Sequence, residues 1–253
     1  LDDVQQEVRA YTRTQAREIE QLKEMEKYRK EFLGNVSHEL KTPIFNIQGY
    51  LDTLISGGLD DPKINMDFLY KAARNADRLS SIVEDLLLIT QYEDGALNLD
   101  IQKFNIYELI QEQMETLEMQ ADNKDITLEM KHNMPKNLTV KADPKLVPQV
   151  LNNLIGNSIK YGKEGGKTLI GVYDMDENVL VEVTDNGPGI ESEHLPRLFE
   201  RFYRVDKSRS RMEGGNGLGL AIVKHIIEAH GQTVNVRSTI GVGSTFGFTL
   251  RKA

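Results

Sequence analysis

The chain has 253 residues, enough for about two domains at roughly 150 residues each. Its 31 Lys and Arg against 39 Asp and Glu give a formal net charge of −8, which argues against sequence-independent nucleic-acid binding, a mode that needs a net-basic surface to displace counterions. It has no Cys, which excludes disulfide frameworks, thiolate nucleophiles and Cys-ligated zinc.

From Leu1 to about Glu31 the chain is rich in Gln, Glu, Lys and Arg, with neither Gly nor Pro. Leu1, Val4, Val8 and Tyr11 follow the 3, 4, 3 spacing of a heptad seam, interrupted at Gln15 and Glu18 before Ile19, Leu22 and Met25. This predicts a parallel helix pair entering from upstream. The apolar stripe continues through Phe32, Leu33, Val36 and Leu40, then past Pro43 through Ile44, Ile47, Leu51 and Leu54. One helix is therefore expected to reach Gly57-Gly58, kinked near Pro43, where a backbone hydrogen bond is lost. A second helix is predicted from about Met66 to Glu93, with a seam at Leu69, Ala73, Ala76, Leu79, Val83, Leu86 and Thr90. Such a hairpin has one apolar face and is not a stable domain alone. Two copies closing into a four-helix bundle would bury that face, so a homodimer is expected. The longest aliphatic run, Leu86-Leu87-Leu88-Ile89, falls far short of the about 20 apolar residues a membrane-spanning helix needs. No bilayer crossing is expected in this chain. It starts at Leu1 without a signal-peptide pattern and reads as a piece of a longer protein.

After Asp94-Gly95 the pattern changes. Strands are predicted at Leu97–Phe104, Ile126–Met130, Leu138–Lys141, Thr168–Asp174, Val179–Thr184, Thr233–Ser238 and Ser244–Arg251. Helices are predicted from Asn105, with Glu108 at capping-box spacing, to about Asn123; from the Asp143-Pro144 cap to about Tyr161; from Ser192 to about Phe202; and from Leu218 to His230. A loop spans Val205 to Asn216. This mixture indicates an α/β sandwich with one sheet face covered.

Four strings carry chemistry. In Ser37-His38-Glu39-Leu40-Lys41-Thr42-Pro43, His38 and Thr42 share a helix face. A largely neutral imidazole is a good nucleophile, and the adjacent Glu39 can take up developing positive charge. On the next constellation's helix, Asn153, Asn157 and Lys160 lie within an arc of roughly 60°, with Val147, Leu151 and Leu154 on the far side. Two amides and an ammonium then face a cleft, and amide oxygens suit Mg2+ shared with phosphates. Tyr161 follows directly. The third string, Asp185-Asn186-Gly187-Pro188-Gly189-Ile190, puts a carboxylate at a strand end, where it can accept from an exocyclic amine, beside glycines that let a flat ligand approach. In the fourth, Gly214-Gly215-Asn216-Gly217-Leu218-Gly219-Leu220, glycines expose backbone N–H groups at a helix N-terminus, suited to anions. It lacks the context of a dinucleotide fingerprint or P-loop. The basic run Arg204, Lys207, Arg209 and Arg211 precedes it and reads as a lid over phosphates. His132, His194, His225 and His230 show no mutual ligand spacing and are assigned no role.

In this order, with Phe199-Glu200-Arg201-Phe202-Tyr203 and Gly241-Val242-Gly243-Ser244-Thr245-Phe246, the strings resemble the H, N, G1, F and G2 boxes and final glycine motif of two-component sensor histidine kinases, over about residues 28 to 253. Within the family the chain looks most like the phosphate-regulon type. The resemblance implies an α+β protein. Residues 1–31 would be a coiled-coil signalling helix. Residues 32–95 would be a dimerisation and histidine phosphotransfer hairpin forming a dimeric four-helix bundle. Residues 96–253 would be a Bergerat-type α/β sandwich that binds ATP, as in DNA gyrase and MutL-type ATPases. It implies His38 as phosphoacceptor, Glu39 as its acid/base partner and Thr42 as the residue orienting water for dephosphorylation. Asn157 would hold Mg2+, Asn153 would help at the phosphates, and Lys160 and Arg204 would contact them. Tyr161 would line the adenine pocket, Asp185 would bind the adenine amine, and Gly187 and Gly189 would shape that pocket. Gly215, Gly217 and Gly219 would wrap the phosphates. The partner would be a response-regulator Asp, with scope for response-regulator phosphatase activity. The nucleotide domain would swing on a hinge at Glu93–Asp100. Neither nucleic acid nor membrane contact is implied for this fragment. A membrane anchor upstream, with this part on the cytoplasmic side, is expected of the full protein. The glycine strings alone would also suit a gyrase-type ATPase, against which the His38 string on a hairpin discriminates. A non-catalytic signalling scaffold is the other rival, opposed by the intact Asn157, Asp185 and glycine strings.

Overall fold

The structure, a computed structural model, describes residues 2–93, 98–205 and 215–253; the side chains of residues 2–14 and 16 are not described. The Val4, Val8 and Tyr11 side chains, Leu1, residues 94–97, which are half of the predicted hinge, and Lys207, Arg209, Arg211 and Gly214 therefore lie outside the described residues. The chain divides into two compact units, Leu1–Ile82 and Val83–Ala253.

The first unit is a helical hairpin. Helix α1 covers Asp2–Ile55 and runs through Pro43 without a break. Proline has no N–H, so the Glu39 carbonyl loses its usual partner one turn back. Gly57 turns the chain at a φ of 110°, a conformation that favours glycine, into a 3-10 turn at Gly58–Asp60. Helix α2 then covers Asn65–Glu93. Leu54, Ala72 and Ile82 are buried where the helices meet, and Tyr50 packs on Phe68 with ring centroids 5.4 Å apart. Asn46 donates to Asn75 across the pair at 3.2 Å. Leu33, Ile44, Leu51, Ile55 and Leu69 remain exposed on the single chain. No helix of the described residues is long and apolar enough to cross a membrane.

The second unit is a seven-stranded sheet with helices packed on it. Its elements are β1 (Gln102–Asn105), α3 (Ile106–Asp122), β2 (Thr127–Met130), β3 (Thr139–Ala142), α4 (Leu146–Tyr161), β4 (Lys167–Met175), β5 (Asn178–Asp185), α5 (Gly219–Ala229), β6 (Val234–Thr239) and β7 (Gly243–Lys252). The strand order is β1-β3-β7-β5-β4-β2, with β6 also paired to β7. Among the described residues only the β2–β4 pair is parallel. The alternation Val179, Val181, Val183 buries all three valines against Leu151, Leu154 and Ile155 of α4 and Ile222 and Ile226 of α5 in one apolar core. Each such side chain contributes roughly 1.5–3 kcal/mol when fully buried. Ile89, near the end of α2, belongs to this same core and is fully buried.

Local signals placed most elements. Asn105 caps α3 by accepting from Tyr107 N–H at 3.0 Å, and its amide donates to Glu108 at 3.0 Å. Asp143 accepts from Lys145 N–H at 2.8 Å and Leu146 N–H at 3.3 Å, so its capping turn precedes α4 and the helix proper starts at Leu146. Two expectations are corrected. Among the described residues 98–104, the strand predicted over Leu97–Phe104 starts only at Gln102, and the Asp100 N–H is instead drawn to the Asp143 carboxylate at 3.0 Å. The helix predicted over Ser192–Phe202 is only a 3-10 turn at Leu195–Arg197 followed by turns. Phe202 takes a φ of 60° and donates its N–H to Gly217 O at 2.8 Å, a long-range bond incompatible with an α-helical exit.

Candidate active site

In the first unit His38 is exposed on α1, and its imidazole makes no hydrogen bond among the described residues. Thr42, one turn on, donates its hydroxyl to the His38 carbonyl at 3.2 Å. Neighbouring helix positions point about 100° apart, so Glu39 leaves the His38 face. Its carboxylate meets the Arg78 guanidinium of α2 at 3.4 Å, with its side chain only 13% exposed. The string thus offers an accessible nucleophile next to a carboxylate held by a cation.

In the second unit three separate strings meet. Strand β5 delivers Asp185 to its end, where Oδ1 accepts from Gly187 N–H at 2.8 Å and Ser244 N–H at 3.2 Å. Burial pushes the Asp185 carboxyl above its ordinary pKa, partly opposed by these N–H groups. Both of these bonds fall on Oδ1. The loop beyond is pinned: Ile190 N–H donates to Ser238 Oγ at 2.8 Å and Gly241 N–H to Pro188 O at 2.7 Å. Gly189 lies in that loop at a φ of 76°. A Cβ on Gly187 would sit 2.9 Å from Asp185 Oδ1 and 3.4 Å from Tyr161 O, so this turn also abuts the end of α4.

Helix α4 buries Val147, Leu151, Leu154 and Ile155, while Asn153, Asn157 and Lys160 are half-buried on its other side, as the helical arc requires. The Lys160 ammonium lies over the Tyr161 ring, 5.0 Å from its centroid. The glycine strand runs along this face. A Cβ on Gly215 would collide with the Lys160 ammonium and come within 3.0 Å of the Tyr161 hydroxyl. One on Gly219 would sit 2.8 Å from Asn153 Oδ1. Between them, Gly217 carries the carbonyl that Phe202 bonds. Asn153, Lys160, Tyr161, Gly215 and Gly219 are therefore brought together, with Asp185 and Gly187 joined to them through Tyr161. Arg204 is half-buried just after the Phe199–Tyr203 string. Nucleotide chemistry fits these residues: a carboxylate oxygen for an amine, glycine backbone where a side chain would fill the space, and a cation beside it. Two amide-bearing side chains on one face also suit a hard divalent cation shared with phosphates.

Sequence reasoning missed the contribution of Ser244, because a backbone N–H leaves no trace in side-chain motifs. It also missed contacts made by the last turns of α2. Asn216 Nδ2 donates to Asp85 Oδ2 at 2.7 Å, and Arg201 pairs with Glu93. Tyr92 donates to Glu228 at 3.2 Å and packs on His225 with centroids 4.3 Å apart. His230, assigned no role, accepts from Asp143 N–H at 2.9 Å.

Residues 28–95 match the His Kinase A (phospho-acceptor) domain family, and residues 142–253 match the histidine kinase-, DNA gyrase B- and HSP90-like ATPase family. The sensor histidine kinase WalK of Bacillus subtilis is 35% identical over 92% of this chain, which spans 38% of WalK. The catalytic domain of histidine kinase ThkA is 31% identical, with a TM-score of 0.54 over 60% of this chain and 96% of that one. ThkA in complex with the response regulator protein TrrA superposes with a TM-score of 0.70 at 28% identity, over 88% of this chain and 61% of that one. The chain spans less than two thirds of the length of the curated relatives it matches.

Proposed function

The chain belongs to the two-component sensor histidine kinases, and from that premise we propose that it phosphorylates its own His38 from ATP and passes the phosphoryl group to an Asp of a response regulator. The observation that carries this reading is the meeting of Asn153, Lys160 and Tyr161 with Gly215 and Gly219, beside an Asp185 carboxylate held at the end of its strand by the Gly187 and Ser244 N–H groups. We assign residues 1–31 to signalling, 32–95 to dimerisation and phosphotransfer, and 96–253 to nucleotide binding.

Asp185 accepts from the adenine amine, in a pocket shaped by Gly187 and Gly189 and lined by Tyr161. Lys160 and Arg204 hold the phosphates, around which Gly215, Gly217 and Gly219 wrap. Asn157, with Asn153 beside it, holds Mg2+. When bound, Mg2+ would neutralise charge on the phosphate oxygens. The neutral His38 ring nitrogen attacks the γ-phosphorus. An N–P bond forms as the bond to the bridging oxygen of ADP breaks, and Glu39, released from Arg78, accepts the proton that leaves the other ring nitrogen. The phosphoryl group then passes to the regulator's carboxylate. Thr42 orients water for hydrolysis of that acyl phosphate, which gives the chain a phosphatase activity as well. The ThkA complex, whose partner is a response regulator, supports this choice of acceptor. The exposed seam of the first unit supports a homodimer.

Incubation with γ-labelled ATP and Mg2+ tests this reading. Acid-labile, base-stable label is expected on the parent and absent from His38→Gln. Label that persists on His38→Gln contradicts it.

A further inference from the structure

Asn216 lies between Gly215, which abuts Lys160, and Gly217, which Phe202 bonds. Both ends of its amide are engaged. Its Oδ1 accepts from Leu218 N–H at 3.0 Å, which fixes the turn entering α5. Its Nδ2 donates to the Asp85 carboxylate on α2 at 2.7 Å. Burial raises the Asp85 pKa, and the Asn216 bond is what favours its charged form. The glycine strand, which in the nucleotide reading wraps the phosphates, is thus tied through one amide to the helix that leads back to the phosphoacceptor hairpin.

The amide N–H that serves the Asp85 carboxylate can equally serve a phosphate oxygen, since both are anionic acceptors. The amide nitrogen has two N–H donors, but filling both with anions sets two negative charges a few ångströms apart, and their repulsion favours one partner at a time. We propose that Asn216 is an exchange residue: it holds the end of α2 through Asp85 when the nucleotide site is empty, and turns to a phosphate oxygen when the site fills. Nucleotide then loosens α2 from the ATP-binding fold. By linkage, Asp85 weakens nucleotide binding by the same factor. The remaining contacts of this segment, Ile89 in the core, Tyr92 on α5 and Glu93 on Arg201, set how firmly α2 docks but do not carry the coupling.

The inference rests on the nucleotide-binding reading, and one double-mutant cycle separates the two. The full chain is titrated calorimetrically with the Mg2+ complex of a non-hydrolysable ATP analogue. Asp85→Ala removes the competing carboxylate. Asn216→Ser keeps a hydroxyl able to accept from Leu218 N–H but too short to reach Asp85. Asp85→Ala is expected to tighten binding about five- to tenfold in the parent and to leave it unchanged on the Asn216→Ser background. Equal tightening on both backgrounds means plain relief of charge repulsion and overturns the exchange; so does no tightening in the parent. A parent that binds no analogue overturns the nucleotide reading itself. Asp85→Asn, which keeps the shape, should shift affinity in the same direction. Hydrogen exchange gives a second readout: amides of residues 86–93 should exchange faster with analogue bound in the parent, and no acceleration overturns the proposal.

Discussion

Asp185 serves two opposed ends. Its carboxylate is placed to accept a ligand hydrogen bond, yet burial raises its pKa, so the charged form costs the fold stability. The sign follows directly. A raised carboxyl pKa means that the protonated group is the better tolerated one in the folded state. Its contribution is fully present below the ordinary carboxylate value and lost as pH rises through the raised one. Asn at 185 keeps an oxygen for Gly187 N–H and Ser244 N–H and removes the charge. Asp185→Asn should therefore melt no lower than the parent at pH 7, with the difference narrowing as the medium is acidified. It should weaken nucleotide binding about 10- to 100-fold, the effect of losing a hydrogen bond to a charged group. Calorimetry on the same samples checks both; a lower melting temperature with intact binding would contradict the assignment. In the parent, nucleotide affinity should fall on acidification at a higher pH than an ordinary carboxylate would give.

At the scale of elements, most of the fold was legible because periodicity and caps are local. The valines of β5, the polar and apolar sides of α4 and the Asn105 and Asp143 caps all follow from spacing. The Ser192–Phe202 stretch was not legible, because the bond that bends it reaches Gly217. The Asp85–Asn216 pair was equally hidden: the partners are 131 residues apart and neither stands out among ordinary helix and loop polars. The site strings were readable as residue types; their assembly was not, since it depends on glycine backbone passing against Lys160 and Asn153. Pro43 belongs to this scale. Pro43→Ala should restore the hydrogen bond to the Glu39 carbonyl and stabilise α1 by up to about 3 kcal/mol. Because that carbonyl lies next to His38, the ratio of kinase to phosphatase rate should change. Paired assays of both activities check this; unchanged rates in both would contradict it.

For the whole molecule, the exposed seam of the hairpin, with Ile55 82% exposed in the single chain, calls for a covering surface. A second copy would supply one with the same residues, each buried Leu or Ile contributing roughly 1.5–3 kcal/mol. Leu51→Glu should shift the sedimenting species from dimer to monomer at micromolar concentration; an unchanged mass would contradict the bundle. The account as a whole depends on one bond, between the His38 ring and the terminal phosphorus of ATP. Mass spectrometry of the intact chain, kept at neutral to basic pH after brief reaction with ATP and Mg2+, reads that bond directly. A gain of one phosphoryl group that fragmentation places on His38 is the predicted result; an unmodified chain, or a phosphoryl group placed on any other residue, would contradict it.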